Sequence, residues 1–233
     1  MSDGWRGLLD SIKTGKTSAE LQGISDTFTL MARRPEVVGM FNAAMATMTR
    51  IVTPGILAAV DLGKINHLMD VGGGSGQLLA SIAVRYPHIR GTVYDLPRCA
   101  ESANDHLARM RVGDRVRFSP GDVFQSVPSG ADAMIMKSII HDWNDERSTV
   151  ILKNCRAALP QEGRLLVVER VMPDHPEVSE HHRELAMSDL NMLRGPGGLE
   201  RSEKQYRHLL EGAGFHHLTV HPAGLFNVIE ALA

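Results

Sequence analysis

"HLMDVGGGSGQLLASIAVRYPHIRGTVYDL", residues 67–96, decides the fold. "HLMDV" (67–71) is a short apolar run, "GGGSG" (72–76) is a turn, and "QLLASIAVRY" (77–86) carries apolar residues at helical spacing until Pro87 stops it. "GTVYDL" (91–96) follows as a second strand. A strand, a glycine turn, a helix and a further strand make one βαβ unit.

The alternation continues downstream. "AESANDHLARM" (100–110) reads as a helix, "RVRFSPGDVF" (115–124) as a strand, and "DAMIMKSII" (132–140) as a fourth strand. "NDERSTVILKNCRAAL" (144–159) is a helix and "GRLLVVERVM" (163–172) a fifth strand. Such an order predicts a parallel, doubly wound α/β sheet. The C-terminal "HHLTVHPAGLFNVIEAL" (216–232) reads instead as two strands joined by a tight Pro-Ala-Gly turn. Upstream, Val37, Met40, Phe41, Ala44, Met45, Met48, Ile51 and Val52 recur at helical intervals and predict one or two amphipathic helices over 36–60. The first 35 residues read as irregular, with "KTGKTS" (13–18) a loop, and "PDHPEVSEHH" (173–182) as a surface excursion.

Composition narrows the function. The 233 residues are 43% hydrophobic and 22% charged with a net charge of −2, an ordinary globular profile. The basic residues are dispersed, which argues against a nucleic-acid or anionic membrane partner. No apolar stretch reaches the roughly 18 residues of a membrane span. "MSDGWRGLLD" lacks the basic-then-apolar layout of a signal peptide. Cys99 and Cys155 show no metal or redox spacing, so a reducing cytoplasm is expected.

In an open parallel sheet, ligands bind outside the carboxyl ends of the strands. The five predicted ends carry the glycine turn, Asp95, Asp122, "HDW" (141–143) and Glu169. Gly72, Gly74 and Gly76 let the backbone turn sharply and come close to a ligand. Asp95, some 20 positions on, suits ribose hydroxyls. A dinucleotide fingerprint would need glycine where Gln77 stands, the turn has no basic helper for a pyrophosphate, and no G-K-[ST] follows. A nucleoside without phosphates fits best, and S-adenosylmethionine is one. Asn144 reads as a helix N-cap, with Asp145 and Glu146 complementing the dipole. His141 is not a favoured cap, and either sits in the turn or acts as a general base.

Four stretches carry a resemblance: "LMDVGGGSGQLLASIAVRYPHIRGTVYDLP" (68–97), "GDVF" (121–124), "MKSIIHDWNDERSTVILKNCRAALPQEGRLLVVERVMP" (136–173) and "DLNMLRGPGGLERSEKQYRHLLEGAGF" (189–215). Together they resemble the S-adenosylmethionine-dependent O-methyltransferases of the caffeic acid and acetylserotonin type, above all the bacterial branch acting on small molecules. The resemblance implies a Rossmann-like class I methyltransferase sheet of seven strands over residues 61–233, the last antiparallel, with 1–60 as a helical extension. It implies that Gly72, Gly73 and Gly74 approach the methionine part of the cofactor and that Asp95 and Leu96 take the ribose. Asp122, Val123 and Phe124 would flank the adenine with Trp143. Lys137 would lie near the cofactor, and Met45 and Thr49, in "FNAAMATMT" (41–49), at its methionine end. His141 would be the catalytic base, flanked by Glu169 and Glu200.

A phenol with pKa near 10 is mostly protonated at neutral pH, so a base beside it helps, and a carboxylate fixes that base's tautomer. The methyl donor carries its own positive charge, so no metal is expected; His181–His182 and His216–His217 are adjacent in sequence and read as surface residues. Asp189, Asn191, Met187, Met192 and Leu193 fall on a helix expected near a small-molecule hydroxyl acceptor. The family also carries roughly a hundred further residues at the front, which dimerise. A homodimer, or a separate partner chain in place of that region, is therefore expected. Two other functions stay open: non-methylating chemistry at the same cofactor site, and a cofactor-binding subunit.

Overall fold

A computed structural model describes residues 5, 7–24 and 27–233; residues 1–4, 6, 25 and 26 lie outside the description, and half of the stretch 1–10 on which the leader expectation rests goes with them. The strands are β1 (His67–Val71), β2 (Arg90–Asp95), β3 (Val116–Pro120), β4 (Ala133–Lys137), β5 (Arg164–Glu169), β6 (Val171–Met172), β7 (Arg201–Ser202), β8 (His216–Ala223) and β9 (Phe226–Leu232). Seven of them form one sheet in the order β3-β2-β1-β4-β5-β9-β8. Strands β1 to β5 pair in parallel, and β9 runs antiparallel between β5 and β8. The doubly wound, mostly parallel α/β sheet is therefore the expected one. Strand order reverses between β1 and β4, so the crevice at that switch point opens beside residues 72–76 and 138–143.

Helices α1 (Leu8–Thr14), α2 (Thr27–Ala32) and α3 (Pro35–Ala59) precede the sheet, and α4 (Gln77–Arg85), α5 (Ala100–Arg109), α6 (Asp145–Ala158), α7 (Glu180–Arg194) and α8 (Glu203–Gly212) connect its strands. The strands alternate between two buried clusters, as a sheet covered on both faces requires. Leu68, Val93, Ile135 and Leu166 meet Leu79 and Ile82 of α4 and Val52 and Ile56 of α3. Met69, Met134, Leu165 and Ile229 meet Ile151 and Leu152 of α6 and Leu209 of α8. Each fully buried aliphatic side chain contributes about 1.5–3 kcal/mol.

Three local readings change. Residues 8–14 and 27–32 are helical, although seven and six residues are too few for propensity alone to declare. α1 packs on α7, and Ser18 N–H donates to the Arg194 carbonyl (2.8 Å), so tertiary contacts hold the N-terminal segment. β3 ends at Pro120 because Asp122 turns the chain, its Oδ1 accepting from Phe124 N–H (2.9 Å). The fifth strand breaks at Arg170: β5 stays in the main sheet while β6 pairs with β7 in a second one, Val171 opposite Arg201. That break sets Glu200 and Arg201 beside the end of β5.

Candidate active site

The crevice has two corners. The first is made of backbone. Gly72, Gly74 and Gly76 have φ of 70°, 56° and 73°, the left-handed region that favours glycine. Asp95, at the end of β2, accepts from Gly74 N–H (2.8 Å) and Leu96 N–H (2.6 Å), so the predicted ribose ligand ties the turn to its neighbouring strand. A Cβ on Gly73 would stand 2.7 Å from Asp70 Cγ, and one on Gly72 would run into the Ile139 side chain. A Cβ on Gly74 would meet nothing, which leaves open space over the turn.

Asp70 was not singled out from sequence. It lies behind the turn, 2% exposed, with Oδ2 unpartnered. Burial pushes its pKa up to about 7, against the pull of Lys137 and with a further push from Asp95. The signal was available: a carboxylate one residue from the end of an otherwise apolar strand.

Past the turn, Phe124 and Trp143 meet edge to face with centroids 4.9 Å apart. The Arg147 guanidinium lies over both rings, 4.2 and 4.1 Å from their centroids. Val123 gives its carbonyl to Asn154 Nδ2 (2.7 Å), anchoring this wall to α6. Lys137 Nζ donates to Ser138 Oγ (3.1 Å). Burial lowers the Lys137 pKa, while Glu169 and Asp70 hold it up. Met45 and Thr49 sit on α3: Met45 is 39% exposed, and the Thr49 hydroxyl donates to the Met45 carbonyl (2.8 Å). Among the described residues no hydrogen bond links either to the glycine turn or to His141.

The second corner is made of buried side chains. Ser138 adopts φ 57°, and the chain then folds back so that three successive N–H groups, of Ile139, Ile140 and His141, converge on Glu169 Oε1 at 2.9, 2.9 and 3.3 Å. His141 Nδ1 meets Glu200 Oε1 at 3.1 Å and lies 3.6 Å from Glu169 Oε2, while Nε2 is 3.6 Å from Asp142 Oδ1. Glu200 Oε1 also accepts from Ser188 Oγ on α7 (2.6 Å), and Arg170 Nη1 stands 3.9 Å from it. Asp189 Oδ1 accepts from Glu200 N–H (2.9 Å).

Burial alone would pull the His141 pKa down, but Glu169, Glu200 and Asp142 outweigh it and raise it to about 9. Burial raises Glu169 and brings Asp142 up to about 6. Glu200 moves the other way: burial pushes it up, but its hydrogen bond to His141 and the charges nearby hold it low. Ligand atoms of His141, Glu169 and Glu200 lie within 4.8 Å of one another, close enough to hold a metal ion as well. Asn144 caps α6 as expected, accepting from Arg147 N–H (3.0 Å). No helix among the described residues is long and apolar enough to cross a membrane.

The chain is similar to known proteins. The chain is 39% identical to an O-demethylpuromycin-O-methyltransferase of Streptomyces alboniger over 97% of its own length, and it spans 61% of that relative. The crystal structure of LaPhzM superimposes with a TM-score of 0.93 at 35% identity, covering 99% of this chain and 69% of that one. NcsB1, an O-methyltransferase from neocarzinostatin biosynthesis solved with S-adenosylmethionine and 2-hydroxy-5-methyl naphthoic acid, gives 0.89 at 28% identity, covering all of this chain and 68% of that one. The O-methyltransferase domain profile matches residues 5–216, and with nine-tenths of its length inside that match the chain belongs to the O-methyltransferase domain family.

Proposed function

We propose that the chain transfers a methyl group from S-adenosylmethionine to a hydroxyl of a small aromatic or polyketide-like molecule, with His141 as general base and no metal. The observation that carries this reading is the 3.1 Å contact between the buried side chains of His141, at Nδ1, and Glu200, at Oε1. With Nδ1–H donated to Glu200, Nε2 is the nitrogen left to take a proton. As the acceptor oxygen loses its proton, the imidazolium that forms is stabilised by Glu200 and Glu169. General-base help of this kind contributes about 100- to 10,000-fold.

Gly72, Gly73 and Gly74 would approach the methionine end of the cofactor, with Lys137, Met45 and Thr49 toward the same end. Asp95 and Leu96 would hold the ribose, and Asp122, Val123, Phe124 and Trp143 the adenine. Two observations support the fit: the open space over Gly74 and the unpartnered buried oxygen of Asp70. S-adenosylmethionine supplies, when bound, an electrophilic methyl and a positive sulfonium charge. A nearby positive charge lowers the pKa of an imidazolium, which would bring His141 down from about 9 toward the neutral form that a base needs.

In the same proposal, residues 61–233 form the catalytic unit, and 1–60 a helical extension whose exposed Leu9, Ile12, Met40 and Ile51 support pairing with a second copy of the chain. One experiment on the purified chain tests the whole. Calorimetry should show S-adenosylmethionine and S-adenosylhomocysteine binding and NAD not. Mass analysis should find one added methyl on 1,4-dihydroxy-2-naphthoic acid, the compound found with S-adenosyl-L-homocysteine in a second structure of NcsB1, undiminished after EDTA, and light scattering should give twice the chain mass. NAD binding without the sulfur ligands would overturn the cofactor assignment, activity lost to EDTA and restored by a divalent cation would overturn the metal-free mechanism, and a monomer would remove the pairing.

A further inference from the structure

Arg201 is fully buried, yet the carboxylate it pairs with among the described residues, Asp145, has a side chain 67% exposed. A buried guanidinium is costly unless its donors are met, and hydrophobic replacements of such groups are often as stable. Stability is therefore a weak reason for the residue. Its donors reach the 140–143 turn and the first residues of α6, where Nη2 also lies 3.4 Å from Ser148 Oγ. Nε and Nη2 bind Asp145 Oδ1 at 3.0 and 2.8 Å, Nη1 binds the Ile140 carbonyl at 3.0 Å, and Nη2 binds the Trp143 carbonyl at 2.7 Å. Ile140 and Trp143 bracket His141 and Asp142.

The neighbours of Arg201 grip the same turn. Leu199 N–H donates to the His141 carbonyl (3.0 Å), and Glu200 meets the His141 ring. Gly198 lies so close that a Cβ on it would stand 2.6 Å from Trp143 N and run into the His141 carbonyl. Four consecutive residues, 198–201, thus strap the turn, and the pairing of β6 with β7 anchors the strap to the end of β5.

We propose that Arg201 is a positioning residue for His141: its planar fork spans the Ile140 and Trp143 carbonyls and holds the turn at the height where Nδ1 meets Glu200. The inference rests on the reading of His141 as the base. Lysine would keep the charge but cannot reproduce the fork. Arg201 touches neither acceptor nor cofactor in this scheme.

The test compares Arg201→Lys, Arg201→Met, Asp145→Asn and His141→Gln in the full chain. Kinetics use S-adenosylmethionine with 1,4-dihydroxy-2-naphthoic acid, calorimetry gives the S-adenosylmethionine affinity, and proton NMR follows the hydrogen-bonded Nδ1–H, assigned by its loss in His141→Gln. Displacing a catalytic group by about 1 Å costs about 100-fold, so kcat in Arg201→Lys should fall by about that factor with a far smaller change in cofactor affinity. Its Nδ1–H signal should broaden into solvent exchange, and Arg201→Met should be no better. A folded Arg201→Lys with wild-type kcat and an intact signal overturns the proposal. Should both Arg201 variants fail to fold, Asp145→Asn decides: about a tenfold loss in kcat with a broadened signal supports it, and neither change overturns it. A wild-type rate in His141→Gln removes the base itself and with it any role for Arg201. Loss in His141→Gln but not in the others sinks the positioning role alone.

Discussion

The two corners of the crevice are built on opposite plans. The glycine corner is backbone, half exposed, and local in the chain: its turn, Asp70 and Asp95 all lie within residues 70–95. The His141 corner is side chain, buried, and drawn from distant segments: His141 after β4, Glu169 at the end of β5, Ser188 on α7, and Glu200 and Arg201 at β7. The difference teaches what each can tolerate. A backbone cradle ignores side-chain chemistry but rejects an added Cβ, whereas a buried polar cluster accepts no change of donor or acceptor even at constant volume.

The largest expected effect follows from the second plan. His141→Gln keeps the approximate size and a hydrogen bond to Glu200 but removes the proposed base, so kcat should fall about 1,000-fold while S-adenosylmethionine affinity measured by calorimetry stays near wild type. A comparable loss of affinity would mean that the corners are one site, and the contrast between them would collapse. Gly73→Ala probes the first plan from the other side. Its Cβ would press on Asp70 Cγ at 2.7 Å and Val93 Cγ1 at 3.0 Å, so the turn must shift, and cofactor affinity should drop by about tenfold or more with kcat at saturation little changed. Gly74→Ala is the control: it has open space and carries only the strain of φ 56° in a residue with a Cβ, about 1–2 kcal/mol. If Gly74→Ala proves the worse of the pair, steric crowding behind the turn is not what limits it.

The same contrast explains what was legible in sequence. The glycine corner could be read because its parts are neighbours: strand, turn, helix and Asp95 fall within 30 residues, and their spacing alone limits the ligand. His141 was visible only as a residue that its apolar strand did not want. Its surroundings were not visible: that Glu169 gathers three N–H groups, or that Ser188 reaches Glu200, depends on contacts 12 to 30 positions apart. Arg201 follows directly after a predicted site residue, yet nothing in "GGLER" declares that the arginine is buried. The break at Arg170 was hidden for a related reason, because "LLVVERVM" is one uninterrupted β-prone run and only pairing with residues 201–202 divides it. The N-terminal helix α1 was missed because its stability comes from α7 rather than from its own seven residues.

The smallest expected effect is electrostatic, and it asks whether the two corners sense each other at all. With its folded pKa raised from 6.5 to about 9, His141 contributes stability that is fully present below pH 6.5 and is lost as pH rises through 9. Asp70 and Asp142, raised from 3.8 to about 7 and about 6, act with the same sign at lower pH, their contributions fading as pH rises through those values. The chain should therefore lose melting temperature from pH 6.5 to 9; His141→Gln should remove the His141 part of that loss and also shift the profile of Asp142, Glu169 and Glu200 upward, because the charge that holds these carboxylates down goes with it. Adding a ligand then separates charge from contact. S-adenosylhomocysteine lacks the transferable methyl and has a neutral sulfur but keeps the other groups of S-adenosylmethionine, so both should fill the glycine corner alike. Only the sulfonium should push the His141 titration, followed by imidazole NMR, down by about one pH unit. Equal midpoints with the two ligands would mean that Glu169, Glu200 and Asp142 shield the ring completely. In that case His141 would stay protonated in the complex, and the base would have to be sought among those carboxylates.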